Sequence, residues 1–248
     1  MSSITGIIIP TYNNEKTLED VIRGVQLYCK NIIVVDDGST DRTKDILDTF
    51  GNSIVAVSYE TNKGKGNALK EGFLKAKDLG WSNAITLDSD GQHLPSDLPI
   101  FFKTQEENPD TLIIGSRNFS NPNMPQQNTF ANRFSNFWFA IQTLHRLPDT
   151  QTGYRLYPLK AMNFMTPNNK RYEAELEILV RSVWKAIPII SKEINVYYPP
   201  QDERVSHFRP GKDFLRISLL NTCLCFLAIV YGYPSMLIRS FYNRLKKS

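Results

Sequence analysis

Short, almost wholly apolar runs alternate through the first half of the chain with segments whose apolar residues recur every three or four positions. Residues 4–9, 32–35, 54–59, 84–87 and 112–114 are runs of the first kind, the earliest predicted to stop at Pro10. Between them Leu18, Val21, Ile22, Val25 and Tyr28 share a helical face, as do Ile46, Leu47 and Phe50, and Leu69, Phe73 and Ala76. Thr40 or Asp41 is placed to cap the second of these helices, and Pro95-Ser96 opens another that runs to about residue 107. Strands without polar alternation, separated by amphipathic helices, predict a mostly parallel sheet with helices on both faces. Ligands of such sheets collect beyond the carboxyl ends of the strands.

Four polar clusters occupy those ends: Pro10-Thr11-Tyr12-Asn13, Asp36-Asp37-Gly38-Ser39, Asn62-Lys63-Gly64-Lys65-Gly66 and Asp88-Ser89-Asp90-Gly91-Gln92-His93. In the last, Asp88 and Asp90 stand at i and i+2 and face one side of an extended chain. Two carboxylates held together repel unless a cation or a shared proton intervenes, and Mg²⁺ or Mn²⁺ is the natural hard cation. A solvated Asp-Ser-Gly turn is the plainer alternative. Tyr12 and its small polar neighbours suit a base and ribose. Asp36 and Asp37 are placed to accept hydrogen bonds from a nucleobase edge or ribose hydroxyls, or to cap a helix. The 62–66 loop sets backbone N–H groups and two lysines before a helix, an arrangement that favours anions. No G-x-x-x-x-G-K-[ST] loop is present, and the first strand does not lead into G-x-G-x-x-G.

Together these residues resemble the nucleotide-sugar-binding half of the inverting family 2 glycosyltransferases, with the GT-A nucleotide-diphospho-sugar transferase fold. Within that family the similarity is to the dolichyl-phosphate mannose synthase, or polyprenyl-phosphate glycosyltransferase, branch. Its Asp-x-Asp-x-Gln-His pattern followed by Pro is met by Asp88 through Pro95. Gly115-Ser116-Arg117 and Asp149-Thr-Gln-Thr-Gly-Tyr-Arg155 are similar to the same branch. The resemblance covers about residues 4–210. It implies that Asp88, Asp90 and Gln92 supply oxygens to Mg²⁺ or Mn²⁺, with Asp90 essential to catalysis. It implies a GDP- or UDP-hexose donor held by the four clusters, with Ser89 and Gly64 among the contacts. Lys63 and Lys65 either assist or are solvated loop lysines, and His93 either supports Asp90 or opens the next helix.

A phosphate acceptor needs positive charge and donors rather than a base. Arg117, Arg133 with Ser135, Arg155, and Arg204 with Ser206 offer such groups, and the branch holds a polyprenyl phosphate in these regions. The late Arg-x-x-Gly-x-Ser-Lys of the branch reads here Arg204-Val-Ser-His-Phe-Arg209, without its glycine or lysine. Glu175, on a helix predicted over residues 172–184, matches the branch's Tyr-x-x-Glu pattern. For an alcohol acceptor, Asp149 or Glu175 is the candidate general base.

No charged residue occurs from Ile217 to Ile238, a length that makes the stretch a candidate for crossing a membrane. Asn221 and Thr222 stripe its first half, Gly232-Tyr-Pro234 interrupts its second, and both flanks are basic. That pattern predicts a segment lying in, or entering and leaving, one membrane face, ahead of a buried helix or a full span. The organisation expected is a catalytic domain over 1–210 and a membrane-associating segment over 211–248. The domain divides into a nucleotide-sugar half to about residue 115 and an acceptor half from about 116 to 210.

Composition narrows the picture little. The 248 residues are 41% hydrophobic and 22% charged with a net charge of +4, which gives no argument for nucleic acid. Three cysteines without framework spacing fit a reducing compartment, and the opening Met1-Ser-Ser-Ile-Thr predicts no cleaved leader. The sequence therefore predicts an inverting, metal-dependent hexosyltransferase acting on a polyprenyl phosphate at the cytoplasmic membrane face. Transfer to a lipid hydroxyl and a non-catalytic nucleotide-sugar-binding module are the alternatives. A sugar-1-phosphate nucleotidyltransferase is disfavoured, since no early G-x-G-T-R-like signature exists.

Overall fold

A computed structural model describes residues 3–118, 126–162, 173–198 and 210–246. The order of elements is β1 (Thr5–Thr11), α1 (Leu18–Gln26), β2 (Ile32–Asp36), α2 (Thr43–Phe50), β3 (Val55–Ser58), α3 (Lys65–Asp78), β4 (Asn83–Thr86), α4 (Leu98–Glu107) and β5 (Leu112–Arg117). They are followed by α5 (Gln126–Thr143), β6 (Arg155–Pro158), α6 (Glu173–Trp184), β7 (Ile189–Ile194), α7 (Pro210–Leu227) and α8 (Tyr233–Leu245). The seven strands form one sheet in the order β3-β2-β1-β4-β6-β5-β7. Only β6 runs antiparallel to its neighbours.

Alternate strand residues feed two cores. Ile7, Ile9, Ile32 and Val34 pack with Leu18, Val21 and Ile22 of α1, while Ile8, Ile33 and Val35 pack with Leu69 and Phe73 of α3. Both faces are covered, so the central strands contain no alternating polar residues. Pro10 does not end β1, which continues to Thr11 with Pro10 paired to Val35. The Ile8 carbonyl, accepting from the Leu87 N–H, faces β4, and Pro10 faces the same edge just past the last residue of β4. Its missing N–H therefore costs no ladder bond.

The C-terminal stretch is one long helical rod in which a five-residue π-helical turn, Ala228–Gly232, joins α7 to α8. Pro234 falls in the first turn of α8, where a missing N–H is tolerated, so Gly232-Tyr-Pro234 bends the hydrogen-bond pattern without breaking the helix. Residues 215–242 form a helix long and apolar enough to cross a membrane. One side of it joins the core through Leu220, Leu224 and Ala228 against the α6 region. The other side leaves Leu219, Phe226, Ile229, Leu237, Ile238 and Phe241 exposed. α5, which the sequence did not announce, is amphipathic in the inverted sense. Asn132, Ser135, Gln142 and Thr143 are buried beside the core residue Phe139, whereas Phe130 and Phe137 are exposed.

Candidate active site

The predicted clusters do meet at one rim, and hydrogen bonds lace them together. The Asn13 N–H donates to Ser39 Oγ and Asn13 Oδ1 accepts from the Thr40 N–H, joining the loops after β1 and β2. Asp36 is buried and its Oδ1 accepts from the Ser39 N–H, closing a turn rather than capping a helix. Both oxygens of buried Asp37 accept backbone N–H groups, from Lys63 at 2.8 Å and Gly64 at 2.7 Å. Asp37 is thus the clamp that shapes the 62–64 loop. Gly38, immediately after this clamp, has φ +74°, and a Cβ there would lie 2.6 Å from the Thr61 backbone. Ser89 is likewise internal: its Oγ accepts from Asn14 Nδ2 at 2.7 Å and its carbonyl from the Thr17 hydroxyl, so it ties the loops after β1 and β4 together. Asn62 and Lys63 are exposed, with the Lys63 ammonium over the Tyr59 ring.

Asp88 and Asp90 follow β4 as expected. Lys65, at the first position of α3, places Nζ 2.7 Å from Asp88 Oδ1 and 3.2 Å from Glu175 Oε2, so it is no solvated loop lysine. Burial pushes the Asp88 carboxyl up, but Lys65, His93 and Arg155 together outweigh it and hold the group below the usual carboxylate range. Asp90 moves the other way, raised by burial and by the Asp88 charge beside it. Among the described residues one ammonium is thus shared by Asp88 and Glu175, with the Asp90 carboxylate beside them. The Asp88 N–H donates to His93 Nδ1 at 3.3 Å, so buried His93 supports Asp88 through its backbone.

Asp90, Asp88 and Gln92 offer two carboxylates and an amide, an all-oxygen set suited to a hard divalent ion. Among the described residues no three His, Cys, Asp or Glu side chains gather as a metal-holding group. An ion here would thus complete its shell with ligand phosphate oxygens and water, the usual habit of Mg²⁺. The donor set fits.

The acceptor half departs further from expectation. Asp149 is fully buried and its two oxygens take five donors: Nε, Nη2 and the backbone N–H of Arg117, and the N–H groups of Gln151 and Thr152. With its lone pairs filled, it serves as a bracket for Arg117 and not as a base. Arg155 is also fully buried, its Nε, Nη1 and Nη2 donating to the carbonyls of Thr152, Glu175 and Thr150. It rivets the 150–152 turn to α6, with its three nitrogens engaged by backbone carbonyls. Ser135 is buried with its hydroxyl accepting from Thr150 Oγ1, whereas Arg133 is exposed on α5. Arg204 and Ser206 lie outside the described residues. Glu175 is 6% exposed, and its Oε1 has no hydrogen-bond partner among the described residues.

Two features had no reading in the sequence. Gly153 sits so close to the charged cluster that a Cβ would lie 2.7 Å from Asp88 Oδ2 and 2.8 Å from Lys65 Nζ. Its motif was recognised, but only the fold shows why a side chain is excluded. Asp97 and Asn195 fasten the far end of the 88–97 loop, with Asp97 Oδ2 accepting from the Asn195 N–H and Oδ1 from Asn195 Nδ2. Asn195 follows a strand that periodicity did not reveal.

Comparison with known proteins agrees with this arrangement. Residues 6–165 match the family model described as glycosyl transferase family 2. The chain is 32% identical over 196 residues to a UDP-N-acetylglucosamine–dolichyl-phosphate N-acetylglucosaminyltransferase of Methanococcus voltae, covering 70% of this chain and 78% of that one. It is 28% identical over 202 residues to a polyprenol monophosphomannose synthase of Mycolicibacterium smegmatis, covering 77% and 76%. Among solved structures, glucosyl-3-phosphoglycerate synthase from Mycobacterium tuberculosis, in complex with Mn²⁺, UDP and glucosyl-3-phosphoglycerate, superposes with a TM-score of 0.68 at 17% identity. The match covers 90% of this chain and 80% of that one and speaks for a shared GT-A-like fold. On the strength of the ordered strand-end clusters and the model match across most of the chain, this protein belongs to glycosyl transferase family 2.

Proposed function

We propose that this glycosyltransferase moves a hexose, with inversion, from a GDP- or UDP-sugar to a polyprenyl phosphate. The observation that carries the reading is the Asp88–Asp90 pair at the end of β4. Lys65, shared with Glu175, meets only part of its negative charge, and the remainder is left to a further cation. Asp88, Asp90 and Gln92 would hold Mg²⁺ or Mn²⁺, which when bound supplies charge neutralisation for the departing diphosphate. Lys65 adds positive charge beside that leaving group, and the positive N-terminal end of α3 lies directly behind it. The acceptor phosphate is already anionic and needs no base. Arg117, held rigid by Asp149, is the described residue best placed to orient it.

The relatives named for dolichyl phosphate and polyprenol support this acceptor class, and so does the apolar surface formed by α5, α7 and α8. No Asp or Glu occurs from Asn118 to Pro148 or after Asp213, whereas Arg133, Arg146, Arg216, Arg239, Arg244 and Lys246 are basic. An apolar face ringed by cations suits the anionic surface of a membrane. We place it at the cytoplasmic face, in keeping with three free cysteines. The test is transfer from radiolabelled UDP- and GDP-hexoses to a polyprenyl phosphate with and without Mn²⁺. An acid-labile lipid product formed only with metal is expected, and no product from any such pair would overturn the reading.

The orphaned Glu175 Oε1 favours a second reading, in which a lipid hydroxyl is the acceptor and Glu175 takes its proton. An acid-stable product lost in Glu175→Gln would select it.

A further inference from the structure

We propose that Asp97 and Asn195 are positioning residues that set the geometry of the Asp88–Gln92 loop before any metal arrives. The inference rests on the metal reading above. Asp97 is 3% exposed, and both its oxygens are engaged by one residue 98 positions later in the chain. A carboxylate buried this deeply needs its hydrogen bonds to offset lost hydration. Asp97 also stands at the amino end of α4, whose exposed N–H groups favour a negative charge. The latch is thus built to stay closed.

What it closes on is the metal loop. Beside it His93 and Val196 form an antiparallel bridge, and the Tyr197 N–H donates to the Gln92 carbonyl at 2.9 Å. The Gln92 N–H donates in turn to Asp90 Oδ1 at 3.0 Å. The Gln92 backbone is therefore held at both its polar groups, once by a carboxylate expected to bind metal and once by the strap leaving β7. The strap keeps the Gln92 and Asp90 side chains at a fixed separation, so little ordering cost is left for metal binding. Partners that orient metal ligands in this way typically change affinity about 10- to 100-fold.

The pair can be exchanged. In the double variant Asp97→Asn with Asn195→Asp, the amide placed on the α4 side still accepts from the backbone N–H of position 195. Its NH₂ group donates to the carboxylate now opposite, so both bonds survive. Asn195→Ala alone leaves one Asp97 oxygen unpaired. Two readouts on purified protein decide: amide hydrogen exchange at Gln92 and Tyr197 without metal, and Mn²⁺ affinity with UDP from the paramagnetic resonance of free Mn²⁺. Asn195→Ala is expected to speed both amides and weaken Mn²⁺ by about tenfold or more, with the exchanged pair restoring both. Unchanged Mn²⁺ affinity in Asn195→Ala, whatever its melting temperature, overturns the proposal. So does an exchanged pair that folds without recovering. If Asn195→Ala does not fold, the exchanged pair alone decides, full Mn²⁺ affinity supporting the proposal and its loss overturning it. Wild-type protein that binds no Mn²⁺ with UDP overturns the metal reading itself, and this inference with it.

Discussion

Lys65 Nζ lies between two carboxylates from opposite halves of the chain, 2.7 Å from Asp88 and 3.2 Å from Glu175, with Gly153 against its back. This ammonium joins the loop after β4 to the first turn of α6. Removing it leaves two largely buried anions without their cation. Lys65→Met is expected to lower stability by about 3 kcal/mol in urea unfolding, the low end for a broken buried pair because Asp88 remains partly exposed. A change below about 1 kcal/mol would show the ammonium to be solvated instead.

Asp90 predicts the opposite sign. Burial and the neighbouring Asp88 charge make its ionised form costly in the metal-free protein. Asp90→Asn should therefore raise the melting temperature without metal while cutting Mn²⁺-dependent transfer on the order of 100-fold or more. Transfer at wild-type rate in this variant would remove the pair from its central role.

Gly153→Ala tests packing at the same point. The added methyl must displace Asp88 Oδ2 or Lys65 Nζ, each under 3 Å away. A stability loss of about 1–3 kcal/mol is expected, together with weakened Mn²⁺ response. Loss of stability with an unaltered Mn²⁺ response would mean that the ion pair moves aside freely.

Asp41 supplies the pH dependence. Burial would push its carboxyl up, but hydrogen bonds from Thr43 and the Glu15 N–H prevail and hold it below the usual range. A group depressed on folding stabilises above its unfolded pKa and loses that contribution as pH falls through the folded one. Asp41→Asn should melt below wild type at pH 7, with the gap narrowing below about pH 4. Calorimetry showing a constant gap down to about pH 3 would dismiss the account.

The exposed face of α5 gives a prediction about surfaces. Phe130→Ser with Phe137→Ser removes apolar side chains that are 72% and 58% exposed, so the melting temperature should move little. Each is worth about 1.5–3 kcal/mol when fully withdrawn from water, so binding to anionic vesicles should fall by at least about tenfold. Undiminished flotation would place the membrane contact elsewhere.

The sheet was legible where burial is two-sided, as in the unbroken apolar runs of β1 and β2. It was hidden where strands are short or mixed. β6 contains Arg155 and β7 reads Ile-Ile-Ser-Lys-Glu-Ile, neither of which looks like a core strand. α5 escaped notice because its polar residues face inward, reversing the stripe that periodicity seeks. In the site, the Asp88–Asp90 loop and Lys65 could be found from residue type and position. The roles of Asp37, Asp149 and Arg155 could not, because a charged side chain turned toward loop N–H or carbonyl groups has the same spelling as one turned toward a ligand.

The reversed direction of β6 has a consequence for how such a chain can diversify. Its amino end, not its carboxyl end, reaches the rim, since Arg155 pairs with Thr86. The residues before β6 therefore enter the site from the opposite chain direction to those after β1, β2 and β4. Under the proposed function, lipid preference can then be exchanged as a cassette over roughly residues 118–148, with the donor loops, Arg117 and the Asp149–Arg155 seam kept. Chimeras cut at those joints should inherit the nucleotide preference of one parent and the lipid preference of the other.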